Sequence, residues 1–271
     1  MSIGTVSFNP WIEGEVNFFQ FTALTEEVIA ALRRARAVFL PQTVSPELYF
    51  FVRRLGKRVF PNYDLRFAFP GKIGQILLFR VLGLPHPRTI CVPRICALGP
   101  HPGTVEVSLP PYPFVVKGNH GHEGREVFLV RNAGEWEEAL KILRTFEASG
   151  RYGFLVQEYL PWEYDLRVVV IGNRRLPFWR KGRFLKNLVQ EGEVVACPDP
   201  GLEARALEVV AELCEKTGFN LMAVDFLFRP ERGEVLINEI NFVFGLRLLG
   251  GEERFRTYLR EAGEAFLRAN S

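Results

Sequence analysis

The sequence has little of what marks a membrane, secreted or nucleic-acid-binding protein. No apolar run approaches the ~18 residues that span a bilayer. The first basic residue is Arg33, so the N-terminus lacks the charged start of a signal peptide. The four cysteines are too few and too scattered for a disulfide framework. These absences predict a soluble, cytoplasmic protein with reduced thiols and no membrane partner.

Basic tracts are also absent. The chain has 34 lysines and arginines against 31 acidic residues, for a net charge of +3, and its basic pairs are dispersed among acids. Because sequence-independent binding of nucleic acid needs a clustered basic face, we expect no nucleic-acid partner. Lysine is scarce, at seven of the 34 basic residues. A lysine inside an apolar segment is therefore unusual in this chain, and it is a candidate for a specific role.

What is present is the composition of a globular α/β protein. With 271 residues, 48% of them hydrophobic, and 24 phenylalanines, the chain can bury a sizeable core in one large or two modest domains of ~100–200 residues. Strand and helix patterns alternate along it. Eight prolines between 84 and 113 predict a loop-rich connection between two structural units.

The hydrophobic spacing assigns the individual elements. Ser45 suits the N-cap of the second helix, and Gly56 its end. Helices are predicted over 24–36, 45–56, 71–83, 132–146, 201–218 and 252–269. Strands are predicted over 37–41, 57–62, 113–118, 126–130 and 154–160, with strand pairs within 165–184 and 221–241.

A glycine-rich hairpin is the first candidate for chemistry. Lys117 ends the apolar strand PFVVKG, and Gly118, Gly121 and Gly124 follow it before the strand EVFLV. Glycines let backbone amides approach an anion closely, and the lysine supplies a point charge. The order differs from the G-x-x-x-x-G-K-[ST] phosphate loop, in which the lysine follows the glycines. A hairpin that covers phosphates and a plain flexible hairpin both fit this pattern.

An acidic group forms the second candidate. Asp225 lies in the apolar strand LMAVDFLF, and Glu239 and Asn241 lie in the partner strand VLINEIN. Since residues two apart share a strand face, Glu239 and Asn241 project together, and Asn238 is expected to point the other way. Two carboxylates and an amide oxygen suit Mg²⁺. The alternative is an edge hairpin with two solvated acids.

A third group combines acids and arginines. Glu158 ends an apolar strand, and Asp165 and Arg167 share a face of the next strand, with Arg180 on the strand after it. A surface salt bridge is the ordinary explanation of such pairs.

Together, these groups resemble one family in their order along the chain. From about Lys72 to Leu249 the sequence is similar to the ATP-grasp enzymes, and within them to RimK-type glutamate ligases and bacterial glutathione synthetases. The hairpin 113–130 resembles the family's phosphate-covering hairpin, and the segment 71–89 resembles the one that carries an earlier lysine. The segment 178–192 resembles a stretch with a catalytic arginine and an F-x-x-N-L-x-x-x-G pattern, filled here by Phe184, Asn187, Leu188 and Gly192.

The resemblance implies a role for each matching residue. Arg180 and Arg167 would be catalytic, and Asp225, Glu239 and Asn241 would bind Mg²⁺ or Mn²⁺. Adenine would bind at the hinge strand QEYL, and Asp165 would hold the ribose. The residues implied for ATP are Lys72, Lys117, Gly121, Gly124, Gln157, Glu158, Tyr159, Leu160, Asp165 and Asn187.

The implied fold is α/β: an ATP-grasp fold, in which two α+β subdomains sandwich ATP, preceded by a small α/β N-terminal unit. Its boundaries are expected at 1–88, 89–157 with the hairpin, and 158–271 with the metal site. The implied reaction is ATP-dependent ligation of a carboxylate to an amine through an acyl phosphate, on an amino acid or peptide. A homo-oligomer is a further expectation. A nucleotide-sensing module without ligase activity and a kinase that acts on a hydroxyl are the alternatives.

The sequence departs from the family pattern at several positions. His122 replaces a small residue of the loop, and Glu126 replaces a late glycine, which adds a negative charge near the phosphates. One glycine, Gly192, stands where two are usual. After Asn241, FVFGLRLLG replaces a small polar turn, which predicts different substrate recognition there. A zinc site of His120, His122, Cys91 and Cys96 is disfavoured by its loose spacing, and a cysteine nucleophile lacks a local signature.

Overall fold

Three β-sheets follow one another along the chain. The structure is a computed structural model, and it describes residues 3–99, 107–121, 126–161, 163–182 and 193–269. Within these ranges the sheets have the strand orders β2-β1-β3-β4, β5-β8-β6-β7 and β11-β10-β9-β12-β13. Among the described helices, none combines the length and the apolar character needed to cross a membrane.

The elements have the following bounds. The strands are β1 Ile3–Ser7, β2 Val16–Asn17, β3 Ala35–Phe39, β4 Arg58–Phe60, β5 Thr89–Val92, β6 Phe114–Gly118, β7 Val127–Val130, β8 Phe154–Glu158, β9 Tyr164–Ile171, β10 Arg174–Lys181, β11 Glu193–Val195, β12 Leu221–Arg229 and β13 Glu234–Asn241. The helices are α1 Glu26–Arg34, α2 Pro46–Arg54, α3 Asp64–Ala68, α4 Gly71–Leu82, α5 Ala133–Ala148, α6 Pro200–Thr217 and α7 Glu252–Arg268.

The N-terminal sheet is parallel, with α1 and α2 as its crossover helices. Ser45 caps α2 as predicted, since its hydroxyl accepts a hydrogen bond from the backbone N–H of Leu48. The sequence analysis did not identify β1 and β2. Both are short, with five residues in β1 and two in β2, so each offers little pattern for a sequence-based prediction.

The central sheet is antiparallel, and α5 packs against it through Ala139, Leu140 and Leu143. The proline-rich stretch 84–113 is predicted to be loop-rich, and it contains β5, a strand that the sequence analysis did not identify and that pairs with β8 at one edge of this sheet. Proline lacks the N–H that a sheet ladder needs, and β5 fits between Pro87 and Pro93 without including either.

The C-terminal sheet lies between helices. Helix α6 covers one face through Ala206, Val210 and Leu213, and α4 joins that core through Ile76 and Phe79. Helix α7 covers the other face, in an apolar cluster that includes residues of β3 and β4. Because Ile76 and Phe79 are buried in this core, the first turn of α4 lies next to the C-terminal sheet. The domain boundaries at 88 and 157 stay a prediction, although the sheets change close to them.

Candidate active site

Charged side chains line one face of the C-terminal sheet. Arg167 pairs with Asp225 across β9 and β12, and Asp225 pairs with Glu239 across β12 and β13. Residues directly opposite on neighbouring strands lie about 5 Å apart on one face. Asp165 and Arg180, which pair with each other across β9 and β10, lie one row away on that face. The sheet thus gathers residues from four strands into one polar surface.

The carboxylate of Asp225 lies at the centre of this surface. It accepts hydrogen bonds from Nε and Nη2 of Arg167, both at 2.7 Å, from Nη2 of Arg180 at 2.8 Å, and from Nδ2 of Asn241 at 2.9 Å. Arg180 also forms an ion pair with Asp165. Burial acts to lower the pKa of Arg167, but the carboxylates of Asp225, Asp165 and Glu239 together outweigh burial, and the pKa is raised.

A surface salt bridge does not describe this pairing. Arg180 is only 4% exposed, and Asp165 and Asp225 are buried with it. Charges removed from water in this way need partners of opposite sign, and the two arginines supply them for the two aspartates. Arg180 is therefore buried in a polar cluster rather than solvated at the surface.

Lys117 reaches the same cluster from the central sheet. Its side chain is 4% exposed, and Nζ donates to Oε1 of Gln157 at 2.7 Å and to Oδ1 of Asn238 at 2.6 Å. Burial lowers its pKa to about 8; Glu239 opposes this shift and Lys72 adds to it. No carboxylate of the described residues lies within ion-pairing distance of the ammonium group. Lys117 is therefore a buried cation that is held by neutral groups.

Lys72 approaches from the first turn of α4. Its Nζ donates to the backbone carbonyl of Gly121 at 2.7 Å and to Oε1 of Glu239 at 3.1 Å. The side chain of Asn119 accepts from the N–H of Ile73 at 2.9 Å, which satisfies one of the free donors at the start of the helix. These contacts fix the start of α4 against the glycine-rich hairpin, so one lysine bridges the hairpin and the acidic strand.

A β-bulge corrects the expectation for Asn238. Asp225 pairs with Glu239, but Phe226 pairs with Ile237, so Asn238 is an extra residue in β13. Strict alternation would send its side chain away from Glu239. Instead, Asn238 accepts a hydrogen bond from Lys117, while Glu239 accepts one from Lys72. The bulge therefore adds an amide oxygen to the cluster, and the prediction that Asn238 points the other way is wrong.

The hinge residues take different positions. Gln157 is buried and also donates from Nε2 to the hydroxyl of Thr89 at 3.1 Å. Glu158 forms an ion pair with Arg229 at 2.5 Å. Leu160 packs in a small apolar cluster with Leu227 and Leu236. Of these leucines, Leu160 directly follows Tyr159 in the sequence. Binding of adenine at the hinge residues stays a prediction.

The charge that Glu126 adds to the hairpin is neutralised by Arg151. The Glu126 side chain is buried and forms an ion pair with Arg151 at 2.5 Å. It packs directly on the hairpin backbone: a Cβ at Gly118 would lie 2.1 Å from its Oε2, and a Cβ at Gly121 would lie 2.6 Å from its Cβ. The glycines are required here for space. The unfavourable charge expected near the phosphates is thus paired within the described residues.

The predicted metal ligands converge in part. Asp225 and Asn241 are in hydrogen-bond contact, and Glu239 is the strand partner of Asp225, so their oxygens form a hard donor set that suits Mg²⁺. Two of these three donors are carboxylates; no group of three His, Cys, Asp or Glu converges anywhere in the described ranges. The four hydrogen bonds to Asp225 use the acceptor positions of its two oxygens. A cation at Asp225 therefore competes with the arginines.

A cleft of about 270 Å³ adjoins the cluster. It lies between α3, the start of α4, the hairpin and the end of β13. The site residues that line it are Lys72, Gly121, Glu239 and Asn241. Sequence reasoning missed other lining residues, among them Arg66, Phe67 and Phe69. No motif marked them, because the resemblance begins at about Lys72.

Several predicted positions lie outside the described residues. These are Gly124 and His122 in the hairpin, and Phe184, Asn187, Leu188 and Gly192 after β10. Their roles stay predictions.

Comparison with known proteins gives partial matches in sequence. No protein-family model matches the chain. A beta-citrylglutamate synthase B of Danio rerio is 29% identical over 136 residues, or 48% of this chain and 31% of the relative. A probable alpha-L-glutamate ligase of Xanthomonas oryzae pv. oryzae is 32% identical over 149 residues, or 53% of this chain and 48% of the relative. The chain therefore spans about half or less of the length of these curated relatives.

Solved structures match over nearly the whole chain. The RimK domain ATP-grasp protein from Sphaerobacter thermophilus has a TM-score of 0.58 and 13% identity, and the match covers 96% of this chain and 98% of that one. The D-alanine–D-alanine ligase from Bacillus anthracis, complexed with ATP, has a TM-score of 0.62 and 14% identity, with 94% and 87% covered. These likenesses confirm the predicted fold. The chain has the fold of these ATP-grasp ligases, and over about half of its length its sequence is similar to alpha-L-glutamate ligases and related synthases.

Proposed function

We propose that the protein is an ATP-dependent carboxylate–amine ligase. The observation that carries the proposal is the buried cluster in which Arg167 and Arg180 share Asp225 while Lys72 and Lys117 approach from two other elements. Its four cations face three carboxylates, so it favours a polyanion such as a nucleotide phosphate. The curated relatives named as glutamate ligases and synthases support this choice of reaction.

In this proposal, the lysines bind the phosphates of ATP. Lys117 exchanges neutral amide partners for a phosphate oxygen, and Lys72 positions the hairpin through Gly121. The backbone of Gly121 covers the phosphates, and the roles in ATP binding expected of Gly124 and Asn187 stay predictions. Adenine binds at the hinge residues Gln157, Glu158, Tyr159 and Leu160, and Asp165 binds the ribose.

The arginines act on the transferring group. A carboxylate oxygen of the acid attacks the γ-phosphorus, the bond from that phosphorus to the bridging oxygen breaks, and ADP leaves. The amine nitrogen then attacks the acyl carbon, the carbon–oxygen bond breaks, inorganic phosphate leaves, and the amine proton passes to solvent. Both steps place negative charge on the phosphoryl oxygens. Arg167 and Arg180 neutralise this charge and thereby lower the barrier of each step.

A divalent cation fits the oxygens of Asp225, Glu239 and Asn241. When bound, Mg²⁺ or Mn²⁺ would supply positive charge that neutralises the charge developing during phosphoryl transfer. The chain's own part is to hold these three side chains on paired strands, where Asp225 lies opposite Glu239.

The substrates are a small molecule or peptide with a carboxylate, and an amine. Glutamate in the relatives' names makes an amino acid or peptide the first choice. Cytoplasmic location and a homo-oligomeric state stay predictions, as does the absence of a nucleic-acid or membrane partner.

Release of ADP tests the proposal against its alternatives. ADP is measured with a panel of amino acids and short peptides, each with and without a second amine. Amine-dependent release supports a ligase; steady release without amine would assign a kinase, and binding without release a sensor. Glu239→Gln keeps the shape but removes the charge, so turnover is expected to be lost, whereas Glu231→Gln, an exposed acid of the same hairpin, should retain it.

A further inference from the structure

The cleft beside the cluster has a second cationic residue at its wall. Arg66 of α3 lines it together with Lys72, and both face a volume of about 270 Å³. This is slightly below the ~300–1,000 Å³ typical of ligand sites, so the cleft suits a small metabolite. Phe67, Phe69 and Phe242 supply apolar walls.

Aromatic rings hold the Arg66 guanidinium in place. Its Cζ lies 4.5 Å from the ring centroid of Tyr63, 4.9 Å from that of Phe67 and 5.1 Å from that of Phe242. Nη1 donates to the backbone carbonyl of Gln42 at 2.8 Å. Such stacking fixes the planar group without using all of its five N–H donors.

Arg66 has no anionic partner in the part of the chain that the structure describes. Most other arginines near the site are paired with carboxylates, as Arg167 and Arg180 are with Asp225. Burial lowers the pKa of Arg66, and only the Tyr63 hydroxyl opposes this shift. A partly desolvated guanidinium without a carboxylate gains most from an anionic ligand, which it can bind through two parallel hydrogen bonds.

The other end of the cleft is the reacting end. Lys72, Glu239 and Asn241 line it, and these residues contact the cluster assigned to phosphates and metal. An acid that is to receive a phosphoryl group must place its reacting carboxylate there. Arg66, at the opposite end of the cleft, can then bind a different group of the same acid substrate.

We propose that Arg66 binds a second carboxylate of the acid substrate, so that the enzyme acts on small dicarboxylates. The proposal rests on the proposed ligase function for the direction of the substrate in the cleft. One carboxylate lies at Lys72, the carbon chain lies along the phenylalanines, and the distal carboxylate meets the guanidinium of Arg66.

Matched pairs of acids test the proposal. Each pair differs only in a distal carboxylate or amide: glutarate and glutaramate, succinate and succinamate, glutamate and glutamine. ADP release is measured with hydroxylamine as the amine, and binding of each acid is measured on the protein saturated with ADP and Mg²⁺. We expect the best diacid to be preferred by ~10-fold or more in kcat/KM and in affinity over its mono-amide.

Arg66→Gln should abolish this preference by raising KM for the diacid, while KM for ATP and KM for the mono-amide stay within a fewfold. Arg66→Lys should retain part of it. The matched control is Arg58→Gln, because Arg58 also stacks on a ring, at 4.6 Å from the centroid of Phe266, and binds a backbone carbonyl. Arg58 is absent from the cleft, so its variant should keep the wild-type preference.

The outcomes separate the two claims. If no acid gives turnover but wild type still binds a diacid more tightly than its mono-amide and Arg66→Gln does not, the ligase proposal fails and the dicarboxylate site stands. If wild type treats both members of every pair alike in turnover and in binding, the role of Arg66 is overturned. Equal loss for diacid and mono-amide in Arg66→Gln would also overturn it, since that pattern marks a structural residue.

Discussion

At Lys117, burial and the proposed phosphate-binding role have opposite requirements, because burial favours the neutral amine and phosphate favours the ammonium form. Lys117 is almost fully buried, its partners are the amide oxygens of Gln157 and Asn238, and its pKa falls from 10.5 to about 8. Between these two pH values the unfolded chain binds the proton more tightly than the folded chain does. The stability of the free protein therefore rises with pH through that window.

Nucleotide binding at Lys117 should have the opposite pH dependence. Phosphate needs the ammonium form, so the Kd for ADP should stay level below pH 8 and then rise, approaching about tenfold per pH unit. Lys117→Met should weaken binding by ~10-fold or more at pH 7 and should remove this rise. The measurement is calorimetric titration of ADP from pH 7 to 9.5 at constant ionic strength.

Lys141→Met serves as the control, because Lys141 is an exposed lysine of α5. Its pH profile should match that of the unchanged protein. An unaltered Kd in a folded Lys117→Met variant would remove Lys117 from the phosphate site.

Sequence pattern identifies some site residues better than others. A lysine within PFVVKG was unusual in a chain with seven lysines, so Lys117 could be found. The position of Asn238 could not, because a bulge changes strand alternation and leaves no mark in the sequence. Arg66 lacked any motif, and its place in the cleft depends on how α3 packs against the end of β13.

At the scale of elements, the glycine-rich hairpin depends on one side chain that lies directly before its second strand. Glu126 folds back over Gly118 and Gly121, and Arg151 holds it there. Neither glycine has the positive φ that would itself demand glycine. The geometry of the hairpin is thus a matter of space between Gly121 and Glu126.

Gly121→Ala should therefore destabilise the protein by roughly 1–3 kcal/mol, as overpacking does, since the new Cβ would lie 2.6 Å from the Cβ of Glu126. Glu126→Gly in the same chain should relieve the clash, whereas Glu126→Ala should not, because it keeps the Cβ. Urea unfolding of the single and double variants measures the coupling. Additive effects in both double variants would show that the two positions do not meet.

Elements with strong periodicity were predicted correctly. Helices α4 and α6 end at Gly83 and Gly218, both left-handed, where their sequences indicate. Strands β1 and β5 were missed, since a short strand gains its stability from neighbours distant in sequence: β1 pairs with β3, and β5 with β8. The order of the three sheets came from the resemblance rather than from any local pattern.

At the scale of the whole molecule, the candidate site is formed jointly by α4, the central sheet and the C-terminal sheet. Lys72 comes from α4, Lys117 from the central sheet, and Arg167 and Asp225 from the C-terminal sheet. The N-terminal unit is joined to that sheet as well: the hydroxyl of Tyr63 donates to the carbonyl of Leu221 at 3.1 Å. A nucleotide that binds the lysines and the arginines together therefore contacts two sheets and the helix between them.

From this arrangement we expect the proposed nucleotide site and the proposed metal site to be coupled. Arg167, Arg180 and Asn241 occupy the acceptor positions of Asp225, so Mn²⁺ alone should bind the free protein weakly. Nucleotide phosphates offer the arginines a stronger partner, which frees Asp225 for the cation. We expect ADP to tighten Mn²⁺ binding by ~10-fold or more, a coupling of at least about 1.4 kcal/mol.

Paramagnetic resonance of free Mn²⁺, titrated with and without ADP, measures this coupling. Linkage requires Mn²⁺ to tighten ADP binding by the same factor, which gives an internal check. Glu239→Gln should reduce the coupling because it removes a metal ligand but leaves the arginines, and Glu231→Gln should preserve it. Tight Mn²⁺ binding without nucleotide would mean that the arginines do not hold Asp225 in solution. Equal affinities with and without ADP would separate the metal site from the nucleotide altogether.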